Sequence, residues 1–465
     1  MYLAERIVIT KDVHRQFYEL ADRNARLAKQ LYNAALFRLR QTFTGWEKDA
    51  RTENEKDVFR ELDLLKERYP KLKAERVLSY GALEKLMRVT RNPDFYAGLP
   101  MQSAQAVVKS AVTDFRNWLA AGKAYRKDPS VFLGRPRMPG YCKSEKKTYT
   151  ITNQDAVLYP IYEQREDGME VYAGMQLKFP GTRQRMLLPH LPEDTKLKEV
   201  KVRPYYGKYL LILVLEAEEP PVVGEAGPAI AGIDLGTDNI AAIVTTDHAS
   251  RVYKGGAVLS RNRLFHKEKA KAAAILTKGS SRRQVQSRHL DFLSQKHDCF
   301  VRDMMHKIST DIIRFCREHE VGTIVIGTNP LWKQKSKMDA VRNQNFEGVP
   351  HAALRWMITY KAQAAGIRVV LQEESYTSKA DVTTRDRIPV YGKEGENEAV
   401  FSGKRVGRGR YRCADGSLIN ADCNGAANIL RKAFPDAWDG TDDFRFLAYP
   451  GSVSFRTLNR SRAAA

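Results

Sequence analysis

Cysteine is scarce in this chain, five in 465 residues (Cys142, Cys299, Cys316, Cys413 and Cys423), and no two of them form a Cys-x-x-Cys pair. That spacing excludes a disulfide framework and gives no zinc site, so a bound zinc ion is not expected. Long apolar runs are missing too. None approaches the length needed to cross a bilayer, and the N-terminus has no signal-peptide stretch, so a cytoplasmic protein is expected. Acidic residues are in deficit: 55 Asp and Glu against 77 Lys and Arg leave a formal charge of +22. A compact chain with that surplus repels itself, and a polyanion relieves the repulsion while releasing counterions from its phosphates. Nucleic acid is the expected partner. An acidic membrane surface would call for a basic amphipathic helix or a lipid anchor, and neither is visible at the chain ends.

The length is about three domains' worth. The opening MYLAERIVIT alternates like a strand, and Phe17, Leu20, Asn24, Leu27, Leu31 and Ala35 then recur at helical spacing. Helical patterning continues to about residue 125, with the stripe Ala104, Val107, Val108, Ala111, Phe115 and Leu119 ending near Gly122. From about 128 the texture becomes Pro- and Gly-punctuated with short β-type runs such as KTYTITN and YYGKYLLILVLEA. This predicts a β domain of residues 1–10 and 128–220 with a helical segment, 11–127, inserted in it. EEPPVVGEAGPA reads as a linker over 221–228.

Beyond it, AGIDLG, NIAAIVTT and VYKGGAVL read as three strands, and a long basic helical tract from about Arg261 to Glu320 follows. GTIVIG is a buried strand, 350–365 a helix, IRVVLQ a strand, and 421–432 a last helix. Three strands, helix, strand, helix, strand, helix is the order of an RNase H-like domain, here 229–435. The stretch 436–465 shows no clear periodicity and is compatible with a disordered tail.

Three acids in this half point to metal chemistry. Asp234 sits inside an apolar strand between Ile233 and Leu235, where a carboxylate costs several kcal/mol unless metal or hydrogen bonds compensate. A turn-forming role at Gly236-Thr237 is the plain alternative. Asp422 opens the last helix, placed either to cap it or to bind Mg2+ through oxygen. A third acid is expected at the end of GTIVIG, yet Gly327, Thr328 and Asn329 stand there. The neighbouring strand offers Glu373 and Glu374 at its end, and adjacent strands lie only about 4.8 Å apart. Consecutive strand residues face opposite ways, so one of the two would serve. Asp234, Glu374 and Asp422 together suit two Mg2+ ions, with Mn2+ as a substitute, about 3.5–4 Å apart for phosphodiester hydrolysis.

At GIDLGTDN, at the block from DAVRNQNFEGVPHAAL to QEESYTSKA, and at NADCNGAANIL, the chain resembles TnpB, the RNA-guided nuclease of insertion sequences, and the compact type V CRISPR effectors descended from it. The resemblance implies a RuvC-type nuclease core, a wedge-type β-barrel carrying an inserted helical recognition domain, a guide RNA, and double-stranded target DNA read mainly by base pairing. It also favours Glu374 as the displaced acid, with Glu373 as the fallback. Such relatives carry a zinc ribbon between the second and third acids; here SKADVTTRD and CADG stand in its place, a degenerate insert over about 379–418.

Basic clusters fit the same partner. Arg282, Arg283 and Arg288 lie in SSRRQVQSRH, Lys333 and Lys335 follow Trp332, and Arg405, Arg408, Arg410 and Arg412 lie among glycines in GKRVGRGRYR. A solvated basic loop is the competing reading for the last, and a core aromatic for Trp332. Two rival functions are weighed. GIDLGT also resembles the phosphate turn of actin-like ATPases, but too few residues follow it for their two halves. A guided DNA-binding protein without cleavage differs only in whether Glu374 reaches the metals. Oligomeric state, guide identity and flanking motif are not legible.

Overall fold

Apolar residues two apart and then three or four apart dictate a strand followed by helices. A computed structural model of the chain describes residues 2–72, 75–165, 169–216, 227–279, 286–329, 348–390 and 399–460. They fall into two units, Met1–Glu219 and Pro220–Ala465. The first runs β1 (Tyr2–Ile9), α1 (Arg15–Gly45), α2 (Glu53–Arg68), α3 (Tyr80–Val89), α4 (Met101–Lys127), β2 (Tyr149–Thr152), β3 (Val157–Gln164), β4 (Glu170–Lys178), β5 (Arg185–Leu188), β6 (Lys196–Tyr205) and β7 (Lys208–Glu216). β1 pairs antiparallel with β7 along its whole length, from Tyr2 opposite Glu216 to Ile9 opposite Tyr209. The helices therefore interrupt the chain between two paired strands. The sheets have the orders β1-β7-β6-β2 and β3-β4-β5.

Phe17, Leu20, Asn24, Leu31 and Ala35 of α1 are buried as their spacing requires. α1, α4 and the strands share one core that includes Phe17, Phe115, Val200, Leu211 and Leu213. Each such large side chain contributes about 1.5–3 kcal/mol by leaving water. α2 is started by a capping box in which Thr52 and Glu55 satisfy each other's backbone N–H. α4 runs past Gly122 to Lys127, correcting the end expected at that glycine; an interior glycine costs only about 1 kcal/mol, and the helix stops at Asp128 instead.

The second unit contains β8 (Ala229–Asp234), β9 (Asn239–Thr245), β10 (Ser250–Lys254), α5 (Gly256–Thr277), α6 (Arg288–Glu318), β11 (Val321–Thr328), α7 (His351–Ala364), β12 (Arg368–Glu373), β13 (Lys404–Gly407), β14 (Arg410–Arg412), β15 (Leu418–Asn420), α8 (Ala421–Ala433), β16 (Gly451–Val453) and α9 (Phe455–Arg460). Its main sheet has the order β12-β11-β8-β9-β10-β16. β8, β9 and β10 are antiparallel neighbours, whereas β11 lies parallel to β8 and β12 parallel to β11. The strands and helices read from the sequence occur in the expected order, with the basic tract divided into two helices, three short strands inserted before α8, and β16 and α9 added after it.

Helices cover both faces. Ala231 and Ile233 of β8 pack with Met304, Ile308 and Ile312 of α6 and Leu354 and Ile358 of α7. The opposite core joins Ala242 and Val244 of β9 to Ala426, Ala427 and Leu430 of α8. A Cβ on Gly232 would lie 2.3 Å from the Ala426 carbonyl oxygen, so only glycine lets α8 come this close to β8.

Three expectations are corrected. The strand read as VYKGGAVL ends at Lys254, and Val258 and Leu259 are buried residues of α5. The basic tract is two helices, α5 and α6, rather than one. The end of the chain carries structure: β16 adds to the sheet parallel to β10, and Trp438, Phe444 and Leu447 are buried. A three-residue strand and single aromatic anchors leave no periodicity to read. The linker assigned to 221–228 lies outside the described residues except Gly227 and Pro228.

A charged clamp ties the helices of the first unit to its sheet. Asp22 of α1 accepts from Tyr209 (2.7 Å) and Arg26 (3.1 Å) and pairs with Lys146 at 2.6 Å. Burial would raise its pKa, but the hydrogen bonds from Lys146, Tyr209 and Arg26 outweigh burial and hold it at about 2, below its usual 3.8. A depressed carboxylate stabilises the fold above its unfolded pKa and loses that contribution as pH falls toward the folded one. Asp22→Asn is expected to lower stability by about 1 kcal/mol at neutral pH, a modest figure because water still reaches the carboxylate. Urea titrations should show the gap closing as pH drops from about 4 to 2; a constant gap would refute the clamp.

Candidate active site

Strand alternation aims the first acid. Ala231 and Ile233 face α6 and α7, so Asp234 at the end of β8 faces α8. There Gly425 makes room for it: a Cβ at that position would lie 2.6 Å from Asp234 Oδ2. Asp422 follows from a local choice of cap. Asn420, not Asp422, caps α8, accepting from the backbone N–H groups of Asp422 (3.0 Å) and Cys423 (3.1 Å). The capping alternative for Asp422 is thereby removed. Its carboxylate accepts from Asn239 Nδ2 at 2.6 Å, and the Arg405 guanidinium stands 3.6 Å away.

The two glutamates diverge just beyond β12. Glu373 accepts from Lys432 Nζ (2.6 Å) and the Ser375 N–H (2.7 Å). Burial would raise its pKa, but these bonds lower it. Glu374 turns the other way, across the end of β11. A Cβ on Gly327 would lie 2.5 Å from its Oε2. The residue standing where an acid was expected thus vacates the space through which the neighbouring strand's glutamate reaches.

Asp234, Glu374 and Asp422 line one cleft of about 550 Å3, together with Asn239, Lys254, Asn329, Arg405 and Arg408. Burial first, then the charges of Glu374 and Asp422, push Asp234 up to about 8. Glu374 is pushed up to about 7 by burial and by Glu373. Acids held this far above their ordinary range in a shared cleft demand protons or cations. All the candidate donors are hard carboxylate oxygens, which fits Mg2+ or Mn2+ and not a thiophilic ion. Among the described residues no three acidic, histidine or cysteine side chains already stand close enough to ligate one ion. The acids share a cleft without forming a closed ligand cluster.

Of the basic candidates, Arg405 and Arg408 line this cleft, Arg410 lines the cavity beside it, and Arg412 and Arg288 lie exposed outside both. Arg282, Arg283, Lys333 and Lys335 fall outside the described residues. Sequence reasoning missed Asn239, although it closes the GIDLGTDN motif, and missed Lys254 and the two glycines, whose roles depend on what passes over them.

The insert between the acids is held by carboxylates. Asp381, wholly buried, accepts from the Thr383 N–H and hydroxyl and, on its other oxygen, from the Ala414 N–H. Asp386 accepts from the backbone N–H groups of Asp381 and Ser402. These bonds join the SKADVTTRD segment to the β14–β15 turn.

Gly327→Ala should displace Glu374 and also the buried Ile429 side chain, whose Cδ1 would lie 2.6 Å from the new Cβ. Calorimetric Mn2+ affinity is expected to fall about tenfold, a loss typical of disturbed ligand geometry. Gly256→Ala, whose Cβ would meet nothing within 4 Å, is the control. Equal Mn2+ binding by the two variants would contradict the geometry.

Two family models match the chain: the probable transposase family OrfB_IS605 over residues 213–332, and the Cas12f1-like TNB domain over 351–429. A curated relative, the TnpB-like protein ORF457 of Acidianus two-tailed virus, is 24% identical over 319 residues. That match takes in 63% of this chain and 64% of the viral protein. A Cas12f1 solved in complex with sgRNA and target DNA shares the fold at a TM-score of 0.50 and 13% identity, over 88% of this chain and 82% of that one. No helix among the described residues is long and apolar enough to cross a membrane. The family models span the strands and helices that build the cleft; the chain is thus similar in sequence to OrfB_IS605, Cas12f1-like TNB and TnpB-like proteins, and in fold to Cas12f1.

Proposed function

We propose that this protein is an RNA-guided DNA endonuclease, a metal-dependent hydrolase of phosphodiester bonds with a RuvC core. The observation that carries the proposal is the meeting of Asp234, Glu374 and Asp422 in one cleft, from β8, the end of β12 and the start of α8. Glu373, bonded to Lys432, is set aside as the fallback. The three carboxylates would hold two Mg2+ ions, which when bound supply an activated water and stabilise the leaving 3′ oxygen. Asn239 orients the Asp422 carboxylate. Arg405 and Arg408 at the rim bind the phosphates on either side of the scissile one, where their planar donors match phosphate oxygens.

In this reading a guide RNA pairs with target DNA, and pairing supplies most of the sequence specificity. The first unit acts as the wedge and recognition part, its helices inserted between strands of a barrel-like β domain, and the protein works in the cytoplasm. A guided DNA-binding protein without cleavage is the second reading, favoured by one observation: the acids have not converged into a ligand cluster.

Incubation with guide RNA, target plasmid and Mg2+ separates the two, since uncut plasmid at saturating protein leaves only the second. Asp234→Ala and Glu374→Gln are each expected to reduce cleavage at least about 100-fold, as loss of a principal electrostatic contributor does. Guided binding should stay within about tenfold, because these residues specify nothing in the pairing. Glu373→Gln should cut at near the normal rate yet melt earlier, since it weakens the partner of a buried Lys432. Normal cleavage by Glu374→Gln would sink the assignment.

A further inference from the structure

The first turn of α7 bonds to two of the chain segments that frame the acids. His351 and Arg355 lie one turn apart and so share a face of this helix. His351 Nε2 stands 2.8 Å from the Gly236 carbonyl oxygen. A carbonyl has no proton to give, so the imidazole N–H is the donor. Arg355 donates to Thr328 Oγ1, also at 2.8 Å. Gly236 is two residues past Asp234, and Thr328 is the last residue of β11, lying opposite Glu373 and so beside the point where Glu374 leaves β12.

The helix is a fixed reference for both. Val349, Leu354 and Ile358 are fully buried, and His351 itself is only 4% exposed. The β8–β9 turn is held on its other sides by the Gly236 N–H to the Ile240 carbonyl (3.2 Å), the Gly255 N–H to the Asp238 carbonyl (2.8 Å) and Asn239 to Asp422. The Gly236 carbonyl ties this turn to α7. The charge of Arg355 also acts on Glu374, drawing its pKa back down against burial. Carboxylates crowded into one cleft repel one another, and among the described residues they do not stand as a closed ligand cluster. Their spacing before an ion arrives must come from the scaffold that carries them.

We infer that His351 and Arg355 are positioning residues for the three-acid site: holding the Gly236 carbonyl and Thr328 from one rigid helix, they set the separation of Asp234 from Glu374 and with it the pair of divalent ions the cleft accepts. Neither side chain lines the cleft. They act through the turn after Asp234 and the strand end beside Glu374, as hydrogen-bond partners behind a metal's ligands orient those ligands. The inference deepens the reading of the cleft as a two-metal nuclease site and rests on it.

The test uses the full chain and Mn2+ alone, with Asp234→Ala as the blank for ions held by copurifying RNA. Calorimetry on the parent should find two ions, and electron paramagnetic resonance should show them coupled, as Mn2+ ions about 3.5–4 Å apart are. His351→Phe fills the space without the donor. It should lower Mn2+ affinity about tenfold and replace the coupled signal by that of single ions, whereas His351→Gln, whose amide N–H reaches as far, should restore both. Thr328→Val keeps the shape and removes the acceptor for Arg355; it should weaken Mn2+ binding in the same direction, and it decides the matter if His351→Phe does not fold. A role in stability alone predicts earlier melting with Mn2+ bound by the folded variants as by the parent. That result, or a His351→Gln protein as defective as His351→Phe, would overturn the inference. A parent that binds no Mn2+ removes the two-metal reading and this inference together. Expected Mn2+ results with plasmid left uncut by the parent remove the nuclease reading and leave the positioning role standing.

Discussion

Everything at the candidate site depends on how closely α8 lies against β8. Gly232 lets the helix backbone approach the strand, and Gly425 lets the helix pass over the Asp234 carboxylate. A methyl group at either position would collide with backbone or with the acid itself, and a core packed to crystal density has no slack to absorb it. Because the helix starts at the strand's C-terminal end, the same contact that seals the core brings Asp422 to Asp234. Packing and site geometry are here one constraint, and the elevated pKa of Asp234 is its electrostatic consequence.

The second acid obeys a different logic. In a parallel sheet, ligands gather beyond the carboxyl ends of the strands, so an acid from either of two neighbouring strands can reach the same point. Here β11 has glycine next to its last residue and β12 is followed by Glu374, whose side chain fills the space above Gly327. The exchange needs both changes: a longer side chain on one strand and a missing one on the other. Lys432 then takes up Glu373, so that the adjacent charge is compensated away from the cleft.

The insert shows a comparable replacement. Asp381 and Asp386 gather backbone N–H groups from chain segments far apart in sequence, as Asp381 does from Thr383 and Ala414. A buried carboxylate must be hydrogen-bonded to be tolerated at all, and once bonded it orders the loops that supply its donors. The arginine-rich turn between β13 and β14, which reaches both cavities, is held in place from this side.

Much of this was legible in one dimension. The order of strands and helices in the second unit follows largely from periodicity, the charge surplus points to a polyanion, and the two aspartates stand out as an acid inside an apolar strand and an acid at a helix start. Local chemistry acts within a few residues, and these signals are local. What no reading along the chain could decide was which glutamate turns toward the cleft, why glycine stands at 327, that Asn420 rather than Asp422 caps α8, or that the aperiodic end returns to the sheet. Those depend on which side chain fills which space once distant segments have packed, and close packing is a property of the three-dimensional contact, not of the sequence that precedes it.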